Sequence, residues 1–295
     1  MSTAQSSPLG DGGMRIDAHQ HFWKFDPVRD SWITDDMAVI QKDFLPGDFQ
    51  RVLKNNGFDG SVVVQSDQSG NENEFQLKNA EANDFIKGVV GWVDLQAPNV
   101  EERLAHHSSF KKMKGFRHVL QGETDRSLML KPEFMNGISK LERFGFTYDI
   151  LIYTDQLKYL PEFVGAFVEQ RFVIDHLAKP AIKDREINEW KKEIQKIARF
   201  ENVYCKISGM VTEANWKNPI AIGWKQDDFI PYIDVVIEAF GPRRVMYGSD
   251  WPVCLVAASY EEVLNIVEEY FSSFSETEKQ LFFGGNAVRF YSLRG

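Results

Sequence analysis

Cysteine is nearly absent: Cys205 and Cys254 are the only two in 295 residues, and they have no metal-type spacing. That excludes a disulfide-rich scaffold and a cysteine-built zinc site, and both are expected as buried, reduced thiols in a reducing compartment. Positive charge is also scarce, with 34 Lys and Arg against 43 Asp and Glu, a formal net charge of −9 and no basic stripe. The electrostatic footprint of a nucleic-acid binder is therefore missing, and the acidic balance reads as solubility. No run approaches the roughly 18 apolar residues of a membrane span. Residues 1–13 lack the apolar stretch of a secretory signal, so the cytoplasm is the expected location. No Gly-rich phosphate fingerprint follows any predicted strand, which removes the usual signature of an open doubly wound sheet. No Pro/Gly linker cuts the chain. The polar opening 1–13, placed before Met14, reads as a disordered tail or cloning remnant, and 14–295 as one domain.

Aromatics, by contrast, are abundant, with 23 Phe and 7 Trp. Short runs rich in Val, Ile and aromatics alternate with longer stretches of helical period, as expected of βα units around a parallel sheet. Strands are predicted over Met14–His21, Gly60–Gln65, Val89–Leu95, Gly115–Leu120, Thr147–Ile152, Phe172–Leu177, Val203–Ser208 and Arg244–Ser249. Eight such repeats in this length fit a single (β/α)8 TIM-type barrel, whose active site gathers at the C-terminal ends of the strands. Two connections are longer than a barrel needs, 22–44 and 209–228, and both leave such an end. Within the second, the stretch 215–228 holds two Trp and Lys217 and reads as a lid or a subunit contact, which leaves room for a homo-oligomer.

The first strand ends Asp17-Ala18-His19-Gln20-His21. Its period of two puts Asp17, His19 and His21 on one face, assigned to the barrel interior, and Ile16, Ala18 and Gln20 on the other. Two imidazoles side by side at a strand end suit a metal ion, or a water and an oxyanion; a hydrogen-bonded core pair is the bland alternative. The sixth strand brings His176 to its C-terminal turn and the eighth brings Asp250, and in a barrel these ends converge. Arg117 and Tyr148 belong to the same rim. Arg117 is a candidate for a substrate oxygen or a structural salt bridge, and Gln65 joins them as a candidate substrate contact.

Six segments, spread in order over nearly the whole chain, carry a resemblance. They are Ile16 to Trp23, Gly115-Phe116-Arg117-His118, Ile174-Asp175-His176, Lys206-Ile207-Ser208-Gly209, Gly248-Ser249-Asp250-Trp251-Pro252 and Gly285 to Tyr291. Together they resemble the amidohydrolase superfamily, in its branch of sugar lactonases and pyrone dicarboxylate lactonases. The resemblance implies a distorted (β/α)8 barrel and a hydrolase of carbohydrate metabolism that opens the ring of a small sugar lactone such as L-fuconolactone or L-rhamnonolactone. The bridging lysine of the dinuclear members is replaced here by Arg117-His118 and Tyr148-Asp149 on the matching strands. The implied cofactor is thus none, or one divalent ion, Zn²⁺, on His19, His21, His176 and Asp250.

In this reading Asp250 takes a proton from water as it attacks the lactone carbonyl and hands it to the ring oxygen. His176, His19, His21 and Arg117, or a metal, would meet the charge on the carbonyl oxygen. Trp23 and Trp251, beside the catalytic candidates, are the first choices to stack on a sugar ring. A metal-dependent decarboxylase built on the same ligand set and a non-catalytic sugar-binding barrel are the competing readings.

Overall fold

The computed structural model describes residues 13–216 and 223–294. Residues 1–12 of the expected tail, and 217–222 of the 215–228 loop with Lys217, lie outside the described residues. Eight parallel strands follow chain order around one sheet. They are β1 Ile16–Gln20, β2 Gly60–Val64, β3 Ile86–Gly91, β4 Met113–His118, β5 Thr147–Ile150, β6 Phe172–Ile174, β7 Val203–Ile207 and β8 Val245–Tyr247. Between β8 and β1 the ring is bridged at the top, where Asp250 N donates to the His19 carbonyl (2.8 Å) and His21 N to that of Trp251 (2.7 Å). This is the predicted (β/α)8 barrel.

β3 begins and ends earlier than its predicted Val89–Leu95. The amide after Gly91, on Trp92, donates to the Asn73 side chain (2.8 Å) instead of a neighbouring strand, and this ends the ladder. Helices such as Gly70–Ala82 and Tyr260–Tyr270 pack outside the barrel; each starts at a serine, Ser69 or Ser259, whose hydroxyl accepts a first-turn amide. Between helices and strands lies a continuous apolar layer that includes Phe49, Phe134, Phe163 and Phe172. Among the described residues no helix is long and apolar enough to cross a membrane.

The interior is layered. Its lower half is apolar, with Ile16, Ala18, Val62, Val64, Val90, Val173 and Met246 packed on Ala287, Phe290, Tyr291 and Leu293 from the chain's end. The closing helix Asn286–Phe290 thus plugs the barrel from below. Above the plug lies a charged layer in which the fully buried Lys206 ammonium meets Asp149 (2.6 Å) and Asp175 (3.0 Å). Arg117 joins Asp175 (3.1 Å), and the Tyr291 hydroxyl donates up to Asp149 (2.7 Å). A lysine without solvent is tolerable only because two carboxylates and an imidazole surround it. This layer is the floor of the site.

Candidate active site

Alternation along β1 fails at one point. Asp17 pairs with Ser61 and Gln20 with Val63, so β1 carries one extra residue, a bulge. Ala18 therefore faces the barrel interior, as His19 also does, and Asp17 faces outward, a correction to the predicted face. The Asp17 carboxylate instead accepts from the amides of His19 (3.1 Å) and Ser249 (3.0 Å), tying the two strand ends together. Burial lifts its pKa to about 6 against those hydrogen bonds.

His19, His21, His176 and Asp250 do converge above the charged layer. His21 Nε2 lies 3.2 Å from both His19 Nε2 and Asp250 Oδ1. Asp250 Oδ1 is 3.8 Å from His19 Nε2 and 3.9 Å from His176 Nε2. The opposite ring nitrogen fixes the tautomer of His21. His21 Nδ1 faces the Val64 carbonyl (2.7 Å), which can only accept, so it carries the proton. His19 Nδ1 faces Asp175 Oδ1 (3.3 Å), with Lys206 Nζ 3.1 Å away. The Asp175 carboxyl is held well below the carboxylate range: burial would raise it, and Lys206, His19 and Arg117 outweigh burial. His19 Nδ1 thus sits between a carboxylate, which can only accept, and the Lys206 ammonium, which can only donate. The Nε2 atoms of His19 and His21 and a carboxylate oxygen thus meet at one point, where Arg117 Nη1, 3.4 Å from His19 Nε2, is a nearby donor.

Such a convergence calls for a cation. Ligand atoms about 2.0–2.1 Å from a tetrahedral ion sit about 3.3–3.4 Å apart, close to the spacing of the His19, His21 and Asp250 atoms. The residues fit a single Zn²⁺, and the charged residues beneath them act as the supporting layer that orients metal-binding imidazoles. Electrostatics agree. Burial pulls His19 and His176 well below the usual histidine value of 6.5, so both are neutral at neutral pH. Asp250 lies below its usual 3.8, because His176, His21 and the Lys179 ammonium together outweigh the opposing effect of burial.

Backbone strain accompanies the site. His176, Leu177, Ala178 and Lys179 are four successive left-handed residues (φ 54°, 55°, 57° and 50°), and Asp250 is a fifth (φ 59°). Each such L-residue costs about 1–2 kcal/mol, so the surroundings must hold the turn. Lys179 N donates to the His176 carbonyl (2.7 Å), Trp190 Nε1 to that of Leu177 (2.7 Å), and Thr154 Oγ1 to those of Ala178 (3.2 Å) and Lys179 (3.0 Å). Ser208 Oγ shares a hydrogen bond with His176 Nδ1 (2.8 Å). Next to it Gly209, at φ +61°, has no room for a side chain, since a Cβ would lie 2.5 Å from His176 Nδ1.

A cavity of about 310 Å³ opens above this centre, with His21, Arg117, His176 and Asp250 on its lining. Its walls add Arg29, Trp32, Asp67, Gln68, Gln121 and Lys179, none of which the sequence singled out. Arg29 and Trp32 come from the long 22–44 connection, and that excess length was their only signal. The other expected contacts lie elsewhere. Tyr148 is fully buried against Phe134, Phe163 and Phe172 on the outer side of β5. Gln65 is fully buried and supports Arg117, whose guanidinium its own carbonyl accepts from and whose carbonyl its amide reaches (3.2 Å). Trp251 stacks on Phe49 (4.6 Å) and Trp23 packs on Phe44, both in the core. The aromatic at the cavity is Trp32, 41% exposed and braced edge-on by Trp23.

The amidohydrolase family profile matches residues 16–293. The chain belongs to the amidohydrolase family. Within it, the L-fucono-1,5-lactonase of Burkholderia multivorans is 37% identical over 292 residues, covering 96% of this chain and 97% of that protein. The L-fucono-1,5-lactonase of Burkholderia ambifaria is 32% identical over 283 residues, covering 95% and 96%. A crystal structure of a Burkholderia multivorans amidohydrolase with bound zinc superposes with a TM-score of 0.91 at 37% identity, covering 95% of this chain and all of that one. These likenesses span the whole amidohydrolase barrel, its plug included.

Proposed function

We propose that this amidohydrolase opens the ring of a sugar lactone, with Asp250 as general base and then general acid. The observation that carries it is a buried carboxylate, Asp250, set among three imidazoles at the floor of a cavity of monosaccharide size. The names of two relatives covering the whole chain, both fuconolactonases, support the substrate class.

A water beside Asp250 gives its proton to the carboxylate as its oxygen bonds to the lactone carbonyl carbon. The carbonyl C–O ring bond then breaks, and Asp250 returns the proton to the leaving ring oxygen. Arg117 and, where Nε2 carries the proton, His176 meet the negative charge on the carbonyl oxygen, and preorganised donors of this kind are worth about 3–4 kcal/mol each. Held by His19, His21 and Asp250, with His176 alongside, a zinc ion would polarise the carbonyl and acidify a bound water. Trp32 offers the ring face on which the sugar rests. The two buried free cysteines suit a reducing, cytoplasmic setting.

The test is hydrolysis of a panel of aldonolactones, L-fucono-1,5-lactone first, followed by proton release at neutral pH. Protein as purified is compared with chelator-treated protein and with zinc restored. Turnover is expected with deoxy-sugar lactones; its absence across the panel in all three forms would overturn the reading.

A further inference from the structure

We propose that Lys179 is a substrate-binding residue that holds the carboxylate formed as the lactone ring opens; this rests on the lactone reading above. A lactone is neutral and its hydrolysis product carries one negative charge, so a cavity that carries the reaction forward needs a cation able to receive it. Three cations line the cavity: Arg29, Arg117 and Lys179. Arg29 is forked onto Asp30 through two bonds of 2.8 and 2.7 Å. Arg117 is engaged by Asp175 and the Gln65 carbonyl. Lys179, among the described residues, has one hydrogen-bond acceptor, Glu213 Oε1 at 3.0 Å, besides the Tyr153 ring 5.7 Å from its ammonium. An ammonium has three donors, so even with one on Glu213 and one toward the Tyr153 ring an N–H group remains for a ligand.

The strained turn points the same way. Of its four left-handed residues, the two inner ones, Leu177 and Ala178, are fully buried, and the two outer ones, His176 and Lys179, line the cavity. The exit of β7 holds both outer residues, His176 through Ser208 and Lys179 through Glu213. The Lys179–Glu213 pair, with its side chains only 16% and 20% exposed, fixes the lysine side chain but does not touch the backbone of the turn. Strain maintained by several external hydrogen bonds is characteristic of residues that work as a set. His176 and Lys179 are such a set, placing a neutral imidazole and a cation on the cavity that also holds Asp250.

The experiment compares binding of L-fuconate with that of its neutral amide, by calorimetry, in the full-length protein and in Lys179→Met, Lys179→Gln and Lys179→Arg. The unaltered protein is expected to bind the acid at least tenfold more tightly than the amide. Lys179→Met and Lys179→Gln should remove most of that preference with little change in amide affinity, and Lys179→Arg should keep most of it. A purely structural role would weaken both ligands equally, and that result, or an unchanged preference in the Met and Gln variants, overturns the assignment. If the Met variant does not fold, the Gln variant decides. Lactone turnover in the unaltered protein, together with an unchanged preference in the variants, sinks this inference alone. Absence of both turnover and acid binding in the unaltered protein sinks the lactone reading and this one with it.

Discussion

The two ends of the barrel interior are built on opposite principles. Below, Phe290 and Tyr291 fill the barrel with apolar surface, and the Tyr291 hydroxyl is bonded to Asp149. Above, five left-handed residues, the four catalytic candidates His19, His21, His176 and Asp250, and a ring of buried charge are crowded within a few ångströms. The lower end lowers the free energy of folding, and the upper end uses part of that margin to hold groups that would otherwise spread apart. The Lys206 layer separates them, and changes on either side of it should have separable consequences.

Asp250→Asn should reveal that separation most strongly. It removes the base and leaves the carboxamide in the same space, so turnover should fall by about 10²- to 10⁴-fold with the fold intact. Near-normal turnover would show that the upper end does not work as described. Lys206→Met attacks the boundary itself. It strands Asp149 and Asp175 without their counter-charge, and loss of one partner of a buried ion group costs about 3–5 kcal/mol, read from denaturant midpoints. A loss below 1 kcal/mol would mean the two ends are not coupled through this lysine. Trp32→Ala should raise KM by about threefold to tenfold, the worth of one aromatic contact, with stability intact because the ring is already partly exposed. Tyr291→Phe is its mirror image below: about 1 kcal/mol of stability is lost with the buried hydrogen bond, and kcat stays unchanged.

The same division explains what was legible in the sequence. Strand positions and the convergence of His19, His21, His176 and Asp250 follow from periodicity and from barrel topology, which sends strand ends to one rim. Asp17 could not be placed, because a bulge is set by pairing with β2 and leaves no mark on local alternation. Trp23 and Trp251 adjoin catalytic residues in sequence, yet their neighbours in space are Phe44 and Phe49, and neighbours in space decide whether a ring meets ligand or core. Lys179 follows His176 by three residues, but an extended exit from β6 would separate them; the left-handed turn that unites them contains no glycine to announce it.

pH is expected to have the smallest effect, and the signs show why. Asp250 has its pKa below 3.8, so it remains a base until the pH falls through that lowered value. His19 and His176, pulled well below 6.5, keep their lone pairs under mild acid. The rate constant kcat/KM should therefore be level from about pH 8 to about pH 5, and an acid limb at 6.5 would mean that one of these imidazoles is solvated. Stability follows the same ledger of protons. Below pH 6.5 the unfolded chain protonates His19 and His176 and the folded one does not, which destabilises the fold as pH drops. Asp17 and Asp149, both raised to about 6, act the other way: between about 6 and 3.8 the folded chain binds more protons than the unfolded one. Two losses oppose two gains, so the thermal midpoint should change little between pH 7 and pH 5. Below 3.8 the balance ends, since Asp175 and Asp250 are held ionised only in the folded state and their protonation favours unfolding. A midpoint that drops steeply already at pH 6 would show that Asp17 and Asp149 are fully ionised and that the histidines alone set the response.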